Sequence, residues 1–310
     1  MSAPQNPSQA AKGPKPSWLK IRPPQGPQAA WLRERAETLR LATVCQEARC
    51  PNMGECWSGG TATFMVLGDI CTRGCRFCAV TTGDPQGRID PDEPHKLAQT
   101  VHDAGWQYVV ITSVDRDDLP DGGAAHIARC IEETRKLNPD VIIEALIPDF
   151  QGNREAMARV VSAKPEVLGQ NLETVSRLTA RVRDRRAGYQ RTLDCLAQIK
   201  ALDSSVLTKS SLMLGLGETD DEIREAMSDL RRHQVDLLTL GQYLQPSPKH
   251  LPVEAYVTPQ AFKAWQEFAE HDQGFLYCAA GPLVRSSYRA GEYFMRRLLR
   301  SDTPRERSGV

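Results

Sequence analysis

Neither sign of charge is in surplus: Lys+Arg and Asp+Glu stand at 39 each. No basic run or domain stands out, so the electrostatic footprint of a nucleic-acid binder is absent. No apolar stretch approaches the roughly 18 residues of a membrane span. The opening "MSAPQNPSQAAKGPKPSW" is polar and Pro-rich. It lacks the apolar core of a signal peptide and the Arg-rich amphipathic look of a transit peptide. A cytoplasmic protein is expected, with neither membrane nor nucleic acid as partner. Histidine is scarce, six in 310 residues, and the first is His95.

Cysteine is what the sequence has, nine in all. In a reducing compartment nine cysteines do not read as a disulfide framework. Cys130 and Cys195 lie on helix-like patterns and Cys278 lies in the apolar "FLYCAAG". These three read as small buried hydrophobes. The other six form two triplets, Cys45, Cys50 and Cys56 in "CQEARCPNMGEC" and Cys71, Cys75 and Cys78 in "GDICTRGCRFCAV".

From Ala62 the pattern becomes regular, with short Val/Ile/Leu-rich runs followed by segments of helical periodicity. Strands are expected in 62–70, 108–114, 140–149, 166–174, 206–218 and 235–246. Helices are expected between and after them, and "TDDE" at Thr219 to Glu222 has the capping-box form. Six strand–helix units imply an α/β fold with a parallel sheet and right-handed crossovers. Periodicity does not distinguish an incomplete barrel from an open doubly wound sheet. In either, chemistry collects at the carboxyl ends of the strands. The Cys71 triplet, "SVDRDDLPDGG", "NLET" and "GLGE" fall there.

A structural zinc site is closed by four ligands. No histidine lies near enough in sequence to complete either triplet, and pooling the two would leave two thiolates unused. Iron–sulfur clusters also take four ligands as a rule. Two triplets at different spacings, C-x4-C-x5-C and C-x3-C-x2-C, suggest two clusters, each with one iron open to a non-Cys ligand. The second spacing is the stronger signal.

Cys71, Cys75 and Cys78, with Phe77 before the last, resemble the signature of radical S-adenosylmethionine (SAM) enzymes. "CQEARCPNMGECW", "TSVDRDDLPDGGA", "NLETV", "SLMLGLGE", "GQYLQPSPKHLPV" and "GPLVRSSYRAGE" are similar, in order from Trp18 to Tyr293, to the motifs of the lipoyl synthase family. The resemblance implies a partial (β/α)6 TIM-like barrel. On that basis the chain divides into a Pro-rich, partly disordered tail (1–30), an auxiliary-cluster extension (31–60), the radical SAM core (61–257) and a C-terminal segment (258–310) with a helix, the R-S-S-Y motif and a tail.

By the same resemblance, Cys71, Cys75 and Cys78 hold the [4Fe–4S] cluster that binds SAM. Cys45, Cys50 and Cys56 hold an auxiliary [4Fe–4S] cluster whose fourth ligand is a serine of "RSSY", assigned to Ser287 over Ser286. Phe77 is expected beside the adenine. Asn171, Glu173 and Ser113 are expected at the strand ends facing SAM, with Gly215, Gly217 and Glu218 in the Gly-rich SAM-side strand. Arg183, Lys209, Arg116 and Arg285 are candidates for substrate or SAM carboxylates. Within "RLTARVRDRRAGYQR", Arg183 is expected to be the inward arginine. Two departures from the family pattern stand out. Asp184 follows Val-Arg where proline is usual, and Gln170 replaces a histidine.

The implied reaction inserts sulfur at C6 and C8 of a protein-bound octanoyl-lysine, consuming two SAM per lipoyl group and drawing sulfur from the auxiliary cluster. Unactivated C–H bonds place that chemistry with cofactors rather than side chains, so no side chain is assigned a catalytic role of its own. Implied partners are octanoylated lipoyl carrier domains (2-oxoacid dehydrogenase E2 subunits and glycine cleavage H protein), a ferredoxin or flavodoxin reductant and an iron–sulfur carrier. A monomer is the default. The rivals are a biotin-synthase-like sulfur inserter and a non-catalytic two-cluster electron carrier. The first is disfavoured by a triplet N-terminal to the barrel paired with "RSSY", the second by the six units and the Gly-rich strand.

Overall fold

The structure, a computed structural model, describes residues 9–10, 15–20, 26–47, 50, 52–58 and 62–287. Tyr288, the last residue of "RSSY", and the tail 288–310 lie outside the described residues, as does most of the N-terminal tail.

Three helices precede the sheet: α1 (Pro27–Leu39), α2 (Val44–Glu47) and α3 (Met53–Ser58). The sheet strands are β1 (Thr63–Val66), β2 (Tyr108–Ser113), β3 (Ile142–Leu146), β4 (Val167–Gly169), β5 (Leu207–Leu214), β6 (Leu237–Gln242) and β7 (Tyr277–Gly281). Between and after them lie α4 (Glu93–Ala104), α5 (Ala124–Leu137), α6 (Arg154–Val161), α7 (Thr179–Val182), α8 (Tyr189–Leu202), α9 (Asp220–Arg232) and α10 (Pro259–Glu267). No helix among the described residues is long and apolar enough to cross a membrane.

Strand order answers what periodicity left open. β1 to β7 lie side by side in chain order and pair in parallel, with Ala42–Thr43 added antiparallel at the β1 edge. Right-handed crossovers taken always in the same direction put every helix on one face. A doubly wound sheet must reverse direction at a switch point, and this one does not. The result is an incomplete barrel with two edges, as the family resemblance implies.

β7 is a seventh parallel strand in "FLYCAAG", which the sequence reading takes only as the apolar setting of Cys278. Its five residues follow α10 and a π-helical turn (Phe268–Asp272), and a run that short carries little periodicity.

The near-continuous apolar runs arise because parallel strands are buried on both faces. Leu97 and Val101 of α4, Ile127 and Ile131 of α5 and Met157 and Val160 of α6 meet Val109, Ile111, Ile143 and Ala145 in one outer layer. Leu193 and Leu196 of α8, Ile223, Met227 and Leu230 of α9, and Phe262 and Trp265 of α10 meet Leu212, Leu214, Leu238 and Leu240 in a second. Each such side chain contributes about 1.5–3 kcal/mol on burial. The alternate strand positions Tyr108, Val110, Val167 and Leu237 fill the interior. α9 starts with the expected capping box, reciprocal between Thr219 and Glu222.

Candidate metal centres

The Cys71 triplet follows β1 through two left-handed residues, Leu67 (φ 69°) and Gly68 (φ 86°). Leu67 is clamped in that conformation. Its N–H donates to Glu93 Oε2 (2.8 Å), which also bonds His126 Nε2 (2.6 Å), and its carbonyl accepts from Arg116 Nη1 (3.1 Å). Its side chain packs on Gly123, where a Cβ would come within 2.3 Å of Leu67 Cδ1.

Loops from three other strand ends then hold the cysteine loop. After β2, the Asp115 carbonyl accepts from Thr72 N (3.0 Å) and Thr72 Oγ1 (2.9 Å). After β4, the Asp184 N–H donates to Cys75 Sγ (3.3 Å) and its carboxylate accepts from Gly74 N (2.8 Å). After β6, His250 Nε2 bonds the Cys78 carbonyl (2.9 Å), oriented through its Nδ1 by Ser247 Oγ (2.8 Å). Beneath the loop, buried Arg73 forks onto Asp117 (2.9 and 2.8 Å) and Asp149 (3.0 and 2.7 Å), with Asp115 at 3.3 Å.

Burial pushes the Cys71 thiol up to about 11 and Cys75 up to about 12, and raises Cys78. Buried neutral thiols are inert, whereas a bound metal displaces their protons. Asp115 is raised to about 6 by burial, with Asp149 and Asp117 adding and Arg73 opposing.

The first triplet sits between the two edges of the sheet. Cys45 lies beside the Thr63 backbone at the β1 edge, and its carbonyl accepts from Cys50 N (3.1 Å). Asn52 Nδ2 donates to the Leu283 carbonyl, just past β7 at the other edge. Arg285 faces Cys50, and its charge opposes the rise in that thiol caused by burial. Gly241 lets this segment approach β6, since a Cβ there would lie 2.1 Å from the Val284 carbonyl oxygen. Burial pushes Cys45 up to about 11.

Each site leaves polar groups that a bound cofactor would satisfy. Trp57 is 0% exposed, and its indole N–H meets no acceptor at full hydrogen-bond geometry among the described residues, although it lies near enough to the Cys45 sulfur to oppose the rise of that thiol. Such an orphan costs about 1–3 kcal/mol. At the other site, Ser113 Oγ after β2 and Gln170 Oε1 after β4 are buried without partners among the described residues. Among those residues, the group of three metal-capable side chains whose ligand atoms lie within 4.8 Å of one another is Glu93, His126 and Cys130. Its Glu93–His126 contact is the direct hydrogen bond that supports Leu67, which leaves no room for an ion between them. Neither cysteine triplet closes to that spacing, which one ion needs and a multi-iron cluster does not. Two all-cysteine donor sets are of the type that holds iron–sulfur clusters.

Glu173 is held left-handed (φ 69°) by Glu173 N to Ser211 O (2.9 Å) and Met213 N to Glu173 O (2.9 Å). Burial raises its carboxyl, against Arg183 and the Asn171 Nδ2 donor at 3.0 Å. Arg183 is 9% exposed, the arginine of 177–191 that is buried, and bonds Thr192 Oγ1 (2.9 Å). Phe77 is half-buried and packs on the second outer layer. Gly215 (φ 101°) sits where a Cβ would lie 2.3 Å from Gln242 Nε2 and 2.4 Å from Ala255 O. Glu218 closes that turn, its two oxygens accepting from Gly215 N (2.5 Å) and Leu216 N (2.9 Å), and Gly217 is exposed.

Three of the candidate arginines and lysines already lie against protein groups. Lys209 is buried in the interior, paired with Glu144 (2.6 Å), which also takes the hydroxyl of Tyr108 at the first position of β2. It lies toward the amino ends of the strands, away from the cysteines. Arg116 is committed to Asp118 (2.8 Å to each oxygen) and Leu67. Arg285, a candidate for substrate or SAM, lies near the first triplet, where its charge acts on Cys50. Sequence reasoning misses Arg73, Asp184, His250 and Trp57 as site residues. All four lie in or beside the quoted motifs; tertiary contacts give Arg73, Asp184 and His250 their partners and bury Trp57.

A family model described as Radical SAM superfamily matches residues 65–230. "Lipoyl synthase" of Thermus thermophilus is 57% identical, covering 91% of this chain and 87% of that one. "Lipoyl synthase" of Halobacterium salinarum is 53% identical, covering 92% and 93%. The FeFe-hydrogenase maturase HydG from Carboxydothermus hydrogenoformans superposes with a TM-score of 0.56 at 11% identity, covering 76% of this chain and 65% of that one. Methylornithine synthase gives 0.52 at 11%, covering 76% and 80%. At those identities the two structures speak for the fold alone. The relatives speak for more: this chain belongs to the lipoyl synthase family of the radical SAM superfamily.

Proposed function

We propose that the chain inserts two sulfur atoms, at C6 and C8, into an octanoyl group carried on a lysine of a lipoyl carrier domain. Cys71, Cys75 and Cys78 would hold a [4Fe–4S] cluster with one iron left for SAM. Cys45, Cys50 and Cys56 would hold the auxiliary [4Fe–4S] cluster, with Ser287, two residues beyond Arg285, as fourth ligand. When bound, the clusters and two SAM per lipoyl group supply hydrogen abstraction from unactivated carbon and the sulfur atoms themselves.

The protein's own residues position and shield. Glu173 and Arg183 form an acid–base pair suited to the ammonium and carboxylate of an amino-acid moiety, with Asn171 fixing Glu173. Ser113 and Gln170 offer oxygens without partners among the described residues at the same strand ends. Phe77 supplies an apolar flank, and the Gly215 turn allows close backbone approach. The reductant would be a ferredoxin or flavodoxin, the carriers E2 subunits and H protein, the auxiliary cluster's source an iron–sulfur carrier, and the compartment the cytoplasm.

The observation that carries this reading is the contact of the C-terminal segment with the segment of the first triplet, through the hydrogen bond from Asn52 to the Leu283 carbonyl, with the Arg285 charge near enough to act on Cys50. An electron wire needs no such closure between barrel edges. The test is anaerobic reconstitution followed by SAM, dithionite and an octanoyl-lysine peptide. Close to eight irons per chain, 5′-deoxyadenosine and a peptide carrying two added sulfurs are expected. Deoxyadenosine without sulfur transfer would overturn the lipoyl assignment, and none from iron-loaded protein would favour the electron carrier.

A further inference from the structure

We propose that Glu93 and His126 are positioning residues of the Cys71 loop: their buried pair ties the base of that loop and holds Leu67 left-handed, so that the three cysteines present one cluster geometry to SAM. This rests on the reading that Cys71, Cys75 and Cys78 hold a cluster.

The bond from the Leu67 N–H to Glu93 Oε2 joins residues 26 apart. One stands just before the cysteine loop, the other at the first position of α4, the helix that follows it. All three cysteines therefore lie in one segment closed at its base by a buried, charge-assisted hydrogen bond. His126, from α5, bonds the same carboxylate oxygen and so fixes where it points. From the other side, Arg116 Nη1 donates to the Leu67 carbonyl. Leu67 and Gly68 are consecutive left-handed residues. Glycine adopts that conformation freely, but in leucine it persists only where the surroundings impose it.

Helix packing does not need these groups. Glu93 and His126 are 5% and 6% exposed, and their helices otherwise give Leu97, Val101, Ile127 and Ile131 to an apolar layer. Apolar residues of similar volume serve such a layer as well as a buried polar pair does. What the pair adds is direction, because the chain must leave β1 toward Ile70–Cys71 along one path. SAM would span the cluster and the strand ends where Glu173 and Arg183 stand. A loop free to shift would have to be re-ordered each time SAM binds, which weakens binding.

The test compares the full-length wild type with Glu93→Gln, which keeps an acceptor oxygen, and with Glu93→Leu/His126→Leu, which makes both partners apolar. Hydrogen exchange of the iron-free proteins is one readout. The KM and kcat of SAM cleavage after reconstitution are the other. The double variant should unfold in denaturant near the wild type, because its helices still pack. Its amides at 67–72 should exchange about tenfold faster, and its SAM KM should rise about tenfold with kcat little changed. Glu93→Gln should stay within about threefold of the wild type on both. Unchanged exchange or an unchanged SAM KM in the double variant would overturn the positioning role. If that variant does not fold, the iron-free wild type decides: a protected Leu67 amide supports the tie, and one exchanging like an open chain overturns it. Wild type that takes up no iron at the Cys71 triplet would instead overturn the cluster reading, and the inference with it.

Discussion

The backbone N–H of Asp184 donates to the sulfur of Cys75 across 3.3 Å, although 109 residues separate them in sequence. The same residue's carboxylate accepts from Gly74 N, and the Arg186 guanidinium beside it holds its carboxyl well below the usual carboxylate range. The loop after β4 thus grips the cysteine loop twice, once by main chain and once by side chain. Asp184→Ala keeps the N–H and removes the carboxylate. Iron should still load at both triplets, but the Cys71/Cys75/Cys78 site should release it to a chelator roughly tenfold faster, for about 1.4 kcal/mol of lost charge-assisted bonding. Equal release rates would show that the carboxylate does not hold that loop.

His250 acts from the opposite side, through the Cys78 carbonyl. Since it is half-buried, His250→Ala should change global stability by less than about 1 kcal/mol. Its effect should appear in SAM cleavage, which is expected to slow roughly 5- to 10-fold for one lost orienting bond. Deoxyadenosine formation at saturating dithionite measures it.

Gly241 offers a separation of the two clusters. A methyl at this position would collide with the Val284 carbonyl, so Gly241→Ala should lift the segment that carries Arg285 and Ser287 off β6. The variant should retain about four of eight irons, keep SAM cleavage and lose sulfur transfer. Full iron loading in this variant would argue against closure of the first site by Ser287.

The Lys209–Glu144 pair predicts stability rather than activity. Lys209→Met leaves the buried Glu144 carboxylate without its counter-charge, holding only the Tyr108 hydroxyl, which costs about 3–5 kcal/mol. Adding Glu144→Gln should restore much of that. Denaturant unfolding of the two proteins decides it, and a stable Lys209→Met that had lost only SAM binding would return Lys209 to the ligand site.

The α9 capping box gives a pH dependence. The Arg177 hydrogen bond, aided by the Thr219 N–H, lowers Glu222 from 4.5 to about 2. Between those values the unfolded chain binds the proton and the native protein does not. The contribution is therefore complete above about 4.5 and fades as pH falls toward 2. The stability difference between the wild type and Glu222→Gln should be largest near neutrality and shrink progressively below pH 4.5. Thr219→Ala should cost about 1 kcal/mol at pH 7.

By itself the sequence determined which residues are strands and helices in the core, because both-face burial writes Val/Ile runs and amphipathic helices write a 3.6-residue period. The six central units, the Thr219 capping box and the two cysteine triplets are all local patterns. Strand boundaries were less legible. β4 spans only Val167–Gly169, because the chain beyond it turns at left-handed Glu173 to face the site. Tertiary structure alone decided partnership. That Lys209 meets Glu144 across the interior, that Arg116 turns to Asp118, and that Arg285 reaches Cys50 all depend on register and on which strand ends converge. So do the grips of Asp184 and His250 on the cysteine loop. A linear spacing of charges carries no information about such contacts. Side chains far apart in sequence become neighbours only when parallel strands, stacked in order, bring their loops to one end of the barrel.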